Sequence, residues 1–152
     1  MATYAKTCYE VVNAPNHRVS KDPAKLRVLI ADDAPTMLDA MSWTIERGGD
    51  VEVVATASNG IGAIRAAQQV APDLAILDVN MPVMNGLEAA LHIKRRIPET
   101  KVLMVSADED PELGLAALAC GADGFICKRD LSANYKDHLV RLFPRLAIAK
   151  TV

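Results

Sequence analysis

Short apolar runs alternate along this chain with longer stretches in which apolar residues recur at helical spacing. The short runs predict five β-strands, at residues 27–31, 51–55, 74–77, 102–105 and 124–127. The stretches that follow them predict five helices, at about residues 35–47, 58–70, 87–96, 111–119 and 131–142. Successive βα units with short connections predict right-handed crossovers, a parallel sheet and helices on both of its faces. We therefore predict an α/β fold of the doubly wound class.

The composition of each run indicates where its element lies. Residues 74–77 are continuously apolar, as expected of a strand that is buried on both faces. The second run includes Glu52 and is less apolar, which favours a position near the edge of the sheet. The fourth predicted helix is rich in alanine and leucine but has a poorly defined apolar stripe. We expect modest burial of that helix.

The domain organisation follows from where this alternation begins and ends. The N-terminal segment is polar and is interrupted by Pro15 and Pro23, so we predict an extension over residues 1–25. One domain is predicted over residues 26–143, since 152 residues suit a single domain with a core. A short C-terminal tail covers residues 144–152.

Composition and charge exclude several classes of function. The net charge of −2 gives no argument for nucleic acid or an anionic membrane, and we expect this chain to bind neither. No apolar run approaches the ~20 residues that span a bilayer, and the N-terminus lacks the apolar core of a signal peptide. Cys8, Cys120 and Cys127 show no CxxC spacing. We therefore expect reduced thiols and a cytoplasmic protein.

Four of the predicted strands run directly into polar residues. The first is followed by Asp32 and Asp33, the third by Asp78, the fourth by Ser106 and the fifth by Lys128. Parallel strands bring their carboxyl ends to one edge of a sheet, and open α/β sheets bind ligands there. The sequence therefore predicts one pocket that holds three carboxylates, a hydroxyl and an ammonium.

The three predicted carboxylates need an electrostatic explanation. Two carboxylates ~4 Å apart repel by ~4 kcal/mol at an effective dielectric constant of about 20. Such a cluster must raise its pKa values, spread out or bind a cation. The predicted ligands are oxygen atoms, which favours Mg²⁺. His17, His92 and His138 lie outside the predicted pocket, which argues against zinc. Mg²⁺ is the predicted cofactor.

Each residue of the predicted pocket also has an ordinary structural interpretation. Asp33 is suited to cap the helix that begins near Pro35, and Asp78 is suited to an Asx turn at its strand end. Serine is common where a strand turns, as at Ser106, and Lys128 could simply extend its ammonium to solvent. The conjunction of all of them at one edge of the sheet favours a functional site.

The predicted pocket has the groups that phosphoryl transfer requires. A carboxylate beside a divalent cation can attack a phosphoryl donor and form an acyl phosphate, and Asp78 is the candidate nucleophile. The transferred group carries about two negative charges and three acceptor oxygens. A metal ion, the Lys128 ammonium and the Ser106 hydroxyl could each bind one of these oxygens.

Several motifs carry a family resemblance. They are Val28-Leu29-Ile30-Ala31-Asp32-Asp33, Asp78-Val79-Asn80-Met81-Pro82, Asn85-Gly86, Ser106-Ala107, Gly121-Ala122-Asp123-Gly124-Phe125 and Lys128. In order and spacing, over residues 26–143, they resemble the receiver domain of bacterial two-component response regulators. The resemblance implies a flavodoxin-like fold with strand order 2-1-3-4-5 and five helices. It implies Asp78 as phosphoacceptor, Mg²⁺ bound by Asp33, Asp78 and the backbone carbonyl of Asn80, and Asp32 acting through a water.

The resemblance also implies a switch and its partners. Ser106 would follow the phosphoryl group, Phe125 would change rotamer with it, and Lys128 would pair with the phosphate. The phosphoryl donor would be a histidine kinase or a histidine phosphotransfer protein, and a downstream protein would bind the fourth helix, fifth strand and fifth helix. A homodimer is compatible with this scheme. The chain departs from the family at Arg129, where proline is usual, and at Ser106, where threonine is commoner.

Several functions are compatible with these residues. We expect a stand-alone receiver that catalyses only its own phosphorylation and dephosphorylation. One alternative is the receiver part of a longer DNA-binding response regulator, and another is a scaffold that works without phosphorylation. A phosphatase of the haloacid-dehalogenase type would also form an aspartyl phosphate. That family needs an acid two residues after the nucleophile, where this chain has Asn80.

Overall fold

A parallel sheet of five strands forms the centre of the molecule, in the order β2-β1-β3-β4-β5. The computed structural model describes residues 24–146. The strands are β1 (Leu26–Ala31), β2 (Val51–Ala57), β3 (Leu74–Asp78), β4 (Lys101–Ser106) and β5 (Gly124–Cys127). The helices are α1 (Pro35–Glu46), α2 (Gly60–Val70), α3 (Gly86–Arg96), α4 (Pro111–Ala119) and α5 (Leu131–Leu142). The predicted doubly wound, flavodoxin-like fold is confirmed.

The boundaries of the elements differ from the predicted ones by at most two residues. Two differences reach two residues: α2 begins at Gly60, and β2 continues to Ala57 because that residue is buried and pairs with Ala31 of β1. At α2 the predicted cap is present, since the Asn59 side chain accepts a hydrogen bond from the N–H of Gly62 at 2.8 Å. The capping signal in the sequence therefore positions the start of this helix correctly.

The helices cover the two faces of the sheet, and each face has its own apolar core. On one face α1 and α5 pack against the sheet through residues such as Met41, Ile45 and Leu139. On the other face α2, α3 and α4 pack through small and branched residues, including Ala67 and Ile93. Every residue of β3 is buried, and β2 lies at an edge, so the predicted strand positions are confirmed.

The fourth helix contributes least to the core, as its sequence pattern predicts. Ala117 is its one buried residue, while Leu115 and Leu118 are 69% and 59% exposed. No helix among the described residues combines the length and apolar character needed to cross a membrane.

Parts of the predicted organisation lie outside the described residues. These are most of the extension (1–25), most of the tail (144–152) and Cys8, so statements about them stay predictions. Within residues 24–146, Cys120 and Cys127 are free thiols, each partly buried.

Candidate functional site

Three aspartates meet at the carboxyl edge of the sheet. Asp32, Asp33 and Asp78 each place a carboxylate oxygen within 4.8 Å of the others. Strands β1 and β3 are neighbours, with Ala31 level with Leu77, so the residues that follow them emerge side by side. Asp32 and Asp78 are buried, whereas Asp33 is exposed at the rim. The predicted convergence of the three carboxylates is therefore seen.

The ammonium of Lys128 lies between the two buried carboxylates. Its Nζ is 2.7 Å from Asp32 Oδ2 and 3.3 Å from Asp78 Oδ2, and its side chain is only 16% exposed. Asp32 Oδ2 is buried and close to this ammonium but has no well-aligned hydrogen bond. The 2.7 Å separation nevertheless pairs the Lys128 ammonium with the Asp32 carboxylate. The alternative in which Lys128 extends to solvent is wrong.

One ammonium does not offset the burial of two carboxylates. Burial raises the pKa of Asp78 above the ordinary value of 3.8, and the negative charge of Asp32 raises it further. The charge and hydrogen bond of Lys128 lower this pKa, as does the backbone N–H of Asn80, but they do not cancel the rise. For Lys128, burial lowers the pKa, yet the contacts with Asp32 and Asp78 outweigh it and the net direction is upward. The site therefore favours an additional cation.

Asp32 also shapes the start of α1. Its Oδ1 accepts a hydrogen bond from the N–H of Ala34 at 2.9 Å, which forms an Asx turn. The N-cap residue of α1 is Ala34, and it makes no side-chain capping bond. The interpretation of Asp33 as the cap of this helix is therefore wrong. Within residues 24–146 the Asp33 side chain makes no ion pair, which leaves its carboxylate at the rim available to a ligand.

A tight loop after β3 positions Asp78. The N–H of Gly86 donates to the Val79 carbonyl at 2.9 Å, so the loop closes directly behind the strand end. A Cβ atom at Gly86 would overlap the backbone carbonyl of Asp78. Only glycine allows this approach. The Asn85-Gly86 pair was part of the family resemblance, but the steric reason for its glycine is apparent only in the structure.

The remaining predicted residues lie on the next two strands. Ser106 ends β4 and is fully buried, and its Oγ accepts a hydrogen bond from the N–H of Asp108 at 3.0 Å. It pairs in register with Cys127, the residue before Lys128. Phe125 is partly buried and packs on the face of the sheet that α2, α3 and α4 cover. Asn80 is exposed beside Asp78.

The donor set fits a hard divalent cation. The cluster contains only carboxylates, two of them buried, with no histidine or cysteine among the described residues of the group. Mg²⁺ prefers oxygen ligands and takes only one or two carboxylates directly. Asp33, exposed at the rim, and Asp78, at the end of β3, can supply these two carboxylates. The residues present therefore fit Mg²⁺.

Comparisons with known proteins agree with this geometry. The family described as the response regulator receiver domain matches residues 28–137. The transcriptional regulatory protein LnrK of Bacillus subtilis is 34% identical over 109 residues, which cover 72% of this chain and 49% of LnrK. The chemotaxis protein CheY of Listeria monocytogenes is 42% identical over 103 residues, covering 68% of this chain and 86% of CheY.

A solved structure gives the same result. The signal receiver domain of the response regulator NarL from Mycobacterium tuberculosis superposes with a TM-score of 0.70 and is 32% identical. The match covers 76% of this chain and 96% of that domain. The chain spans about half the length of the transcriptional regulators it matches, such as LnrK at 49%. From the family match and the relatives together, this chain belongs to the response regulator receiver domain family.

Proposed function

We propose that this chain is a phosphorylation-controlled switch in which Asp78 accepts a phosphoryl group from a phosphohistidine. The donor would be a histidine kinase or a histidine phosphotransfer protein of the same cytoplasmic signalling system. One observation carries the proposal: Asp78 is 4% exposed, has a raised pKa and lies in contact with Lys128 at the carboxyl edge of the sheet. The positive charge nearby does not fully offset the negative charge of this carboxylate, and the surrounding residues hold it in a fixed position. Both features are typical of functional sites.

The reaction transfers one phosphoryl group between two side chains. An oxygen of the Asp78 carboxylate forms a bond to phosphorus as the P–N bond to the donor's imidazole breaks, and the nitrogen keeps the electron pair. Lys128 already lies 3.3 Å from the Asp78 carboxylate and would hold a phosphoryl oxygen by a charge-assisted hydrogen bond. The Ser106 hydroxyl, at the end of the neighbouring strand, would donate to another oxygen.

The acidic residues around Asp78 would hold the cofactor. Asp33, Asp78 and the backbone carbonyl of Asn80 would bind Mg²⁺, with Asp32 acting through a water. The bound Mg²⁺ would neutralise negative charge on the transferring phosphoryl group. Asp32 keeps Lys128 in place through its 2.7 Å contact. The chain would thus catalyse its own phosphorylation and dephosphorylation, and no other reaction.

The output would be a change in the surface formed by α4, β5 and α5. Ser106 and Phe125 link the pocket to this surface, because Ser106 ends β4 and Phe125 lies in β5 beside α4. Helix α4 buries only Ala117, so little packing opposes a shift of this helix. Phosphorylation would draw Ser106 towards Asp78 and allow Phe125 to change rotamer.

A second candidate places the same switch inside a longer regulator. It is favoured by the relatives that are transcriptional regulators, of which the chain spans about half, as with NarL of Mycobacterium tuberculosis at 49%. The stand-alone reading is favoured by CheY of Listeria monocytogenes, of which the chain spans 86%. An antibody against residues 24–146, used on extracts of the source cells, distinguishes them by the size of the polypeptide detected.

The phosphoacceptor is tested by incubating the chain with acetyl phosphate and Mg²⁺. We expect a single added phosphoryl group by intact-mass spectrometry, removable by hydroxylamine as an acyl phosphate must be. Asp78→Asn should abolish it, while Asp39→Asn, an exposed aspartate of α1, should not. Modification that persists in Asp78→Asn would refute the proposal, and an unmodified wild type would favour the phosphorylation-independent scaffold.

A further inference from the structure

Two segments beside the acidic pocket are joined by an ion pair. Residues 107–110, here called the switch loop, follow β4, and the turn Lys128–Asp130 follows β5. The Glu109 carboxylate pairs with the Arg129 guanidinium, which is also 3.8 Å from Asp130 through its Nε. Arg129 occupies the position where the family resemblance leads one to expect proline. The ion pair is therefore a feature of this sequence.

The backbone of the switch loop is held by several further contacts, including a hydrogen bond that the N–H of Asp110 donates to Asp108 Oδ1 at 3.1 Å. The N–H of Asp108 donates to Ser106 Oγ at 3.0 Å, and the Asp108 carbonyl lies 3.9 Å from Cys127 Sγ. All four residues of the loop are exposed, so no buried side chain of its own anchors it. The position of the loop therefore depends on a few polar contacts. Among these, the contact between Glu109 and Arg129 joins two side chains of opposite full charge.

We propose that the Glu109–Arg129 ion pair is a latch that holds the switch loop in its unphosphorylated position and opposes its movement on phosphorylation. The inference rests on the proposed function, in which Ser106 moves towards a phosphoryl group on Asp78. The loop begins directly after Ser106, so this movement carries Glu109 with it. Arg129 stays with the turn, because the neighbouring Lys128 is tied to Asp32 and Asp78. Activation therefore requires the pair to separate.

The expected strength of the latch follows from its exposure. The side chains of Arg129 and Glu109 are 70% and 53% exposed, so solvent screens their attraction. Exposed pairs change an equilibrium by about twofold to a few-fold. The latch would therefore adjust the ease of activation without preventing it, and its effect should disappear in about 1 M salt, where the screening length is about 3 Å.

A latch can be distinguished from a simple charge effect by the sign of two substitutions. Beryllofluoride with Mg²⁺ is an anionic phosphoryl mimic that binds beside the acceptor carboxylate. If Glu109 and Arg129 acted only through their charge, Glu109→Gln would strengthen its binding and Arg129→Gln would weaken it. A latch predicts that both substitutions strengthen binding, because either one releases the loop.

The experiment measures beryllofluoride affinity by NMR titration for wild type, both single variants and the double variant. We expect each single variant to bind about twofold more tightly at low salt, and the double variant no more tightly than a single one. Glu112→Gln, which removes the same charge from the first turn of α4, should leave the affinity unchanged. Opposite signs for Glu109→Gln and Arg129→Gln, or no change in either, would overturn the latch.

Failure of the latch is separable from failure of the proposed function. If wild type binds beryllofluoride and the variants bind it with the same affinity, only the latch is overturned. If wild type does not bind, the proposed function fails. Hydrogen exchange then still tests the contact: the amides of residues 107–110 should exchange about twofold faster in both variants, and unchanged rates overturn it.

Discussion

Replacing Asp78 by asparagine should stabilise the fold in metal-free buffer at neutral pH. At an effective dielectric constant of about 20, the attraction between Asp78 and Lys128 at 3.3 Å is about 5 kcal/mol. The repulsion from Asp32, whose oxygen lies within 4.8 Å, is about 3.5 kcal/mol or more. Asparagine therefore loses at most about 1.5 kcal/mol of net attraction, but it avoids the several kcal/mol that burying a carboxylate costs. We expect a gain of about 1–3 kcal/mol.

The dependence of this gain on pH follows from the direction of the pKa shift. Burial and the charge of Asp32 raise the pKa of Asp78 above 3.8 in the folded protein. A group with a raised folded-state pKa contributes stability below its unfolded pKa, and that contribution is lost as the pH rises through the folded pKa. The advantage of Asp78→Asn should therefore be present at neutral pH and disappear as the pH falls towards 3.8.

Urea denaturation in EDTA at several pH values measures this difference. Asp39→Asn is the matched control, because it removes an exposed carboxylate from α1 and should change stability little. If Asp78→Asn were less stable than wild type at pH 7, the attraction between Lys128 and Asp78 would exceed the cost of burying the Asp78 carboxylate. The negative charge of Asp78 would then be fully compensated, which contradicts the reasoning above. Adding Mg²⁺ should stabilise wild type more than the variant.

Three further substitutions test the surroundings of the site. Lys128→Met leaves Asp32 and Asp78 buried without their ammonium and should cost about 3–5 kcal/mol in urea denaturation; unchanged stability would contradict the ion-pair account. Gly86→Ala forces a Cβ into the Asp78 carbonyl, so it should cost about 1–3 kcal/mol and slow labelling by acetyl phosphate, whereas full labelling would argue against a tight loop. Val83 has a φ of 69° and is 63% exposed. Val83→Asn should therefore raise the free energy of unfolding by about 1 kcal/mol, and a loss would show that the loop is not strained there.

The elements and the convergence of strand ends could be predicted because they depend on local signals. The continuous apolar run of β3 and the Asn59 cap of α2 are visible in the sequence and match the structure. The register of parallel neighbours then brings Asp32 and Asp78 together without further information. Pattern and connection rules suffice for this level of organisation.

The contacts within the site could not be predicted in the same way. Asp32, not Asp33, makes the turn before α1, since the choice depends on which side chain points inward. The ion pair of Glu109 with Arg129 joins exposed residues whose rotamers no periodicity specifies. The requirement for glycine at position 86 depends on how closely its loop approaches the Asp78 carbonyl, a distance between segments that sequence spacing does not contain.

Phosphorylation of Asp78 is proposed to change the surface formed by α4, β5 and α5. NMR spectra of the chain with and without beryllofluoride and Mg²⁺ test it most directly. In wild type, chemical shift changes should extend from Asp78 through Ser106 to Phe125 and helix α4, and Asp78→Asn should abolish them. No response in wild type, or an unchanged response in Asp78→Asn, would contradict the proposed switch.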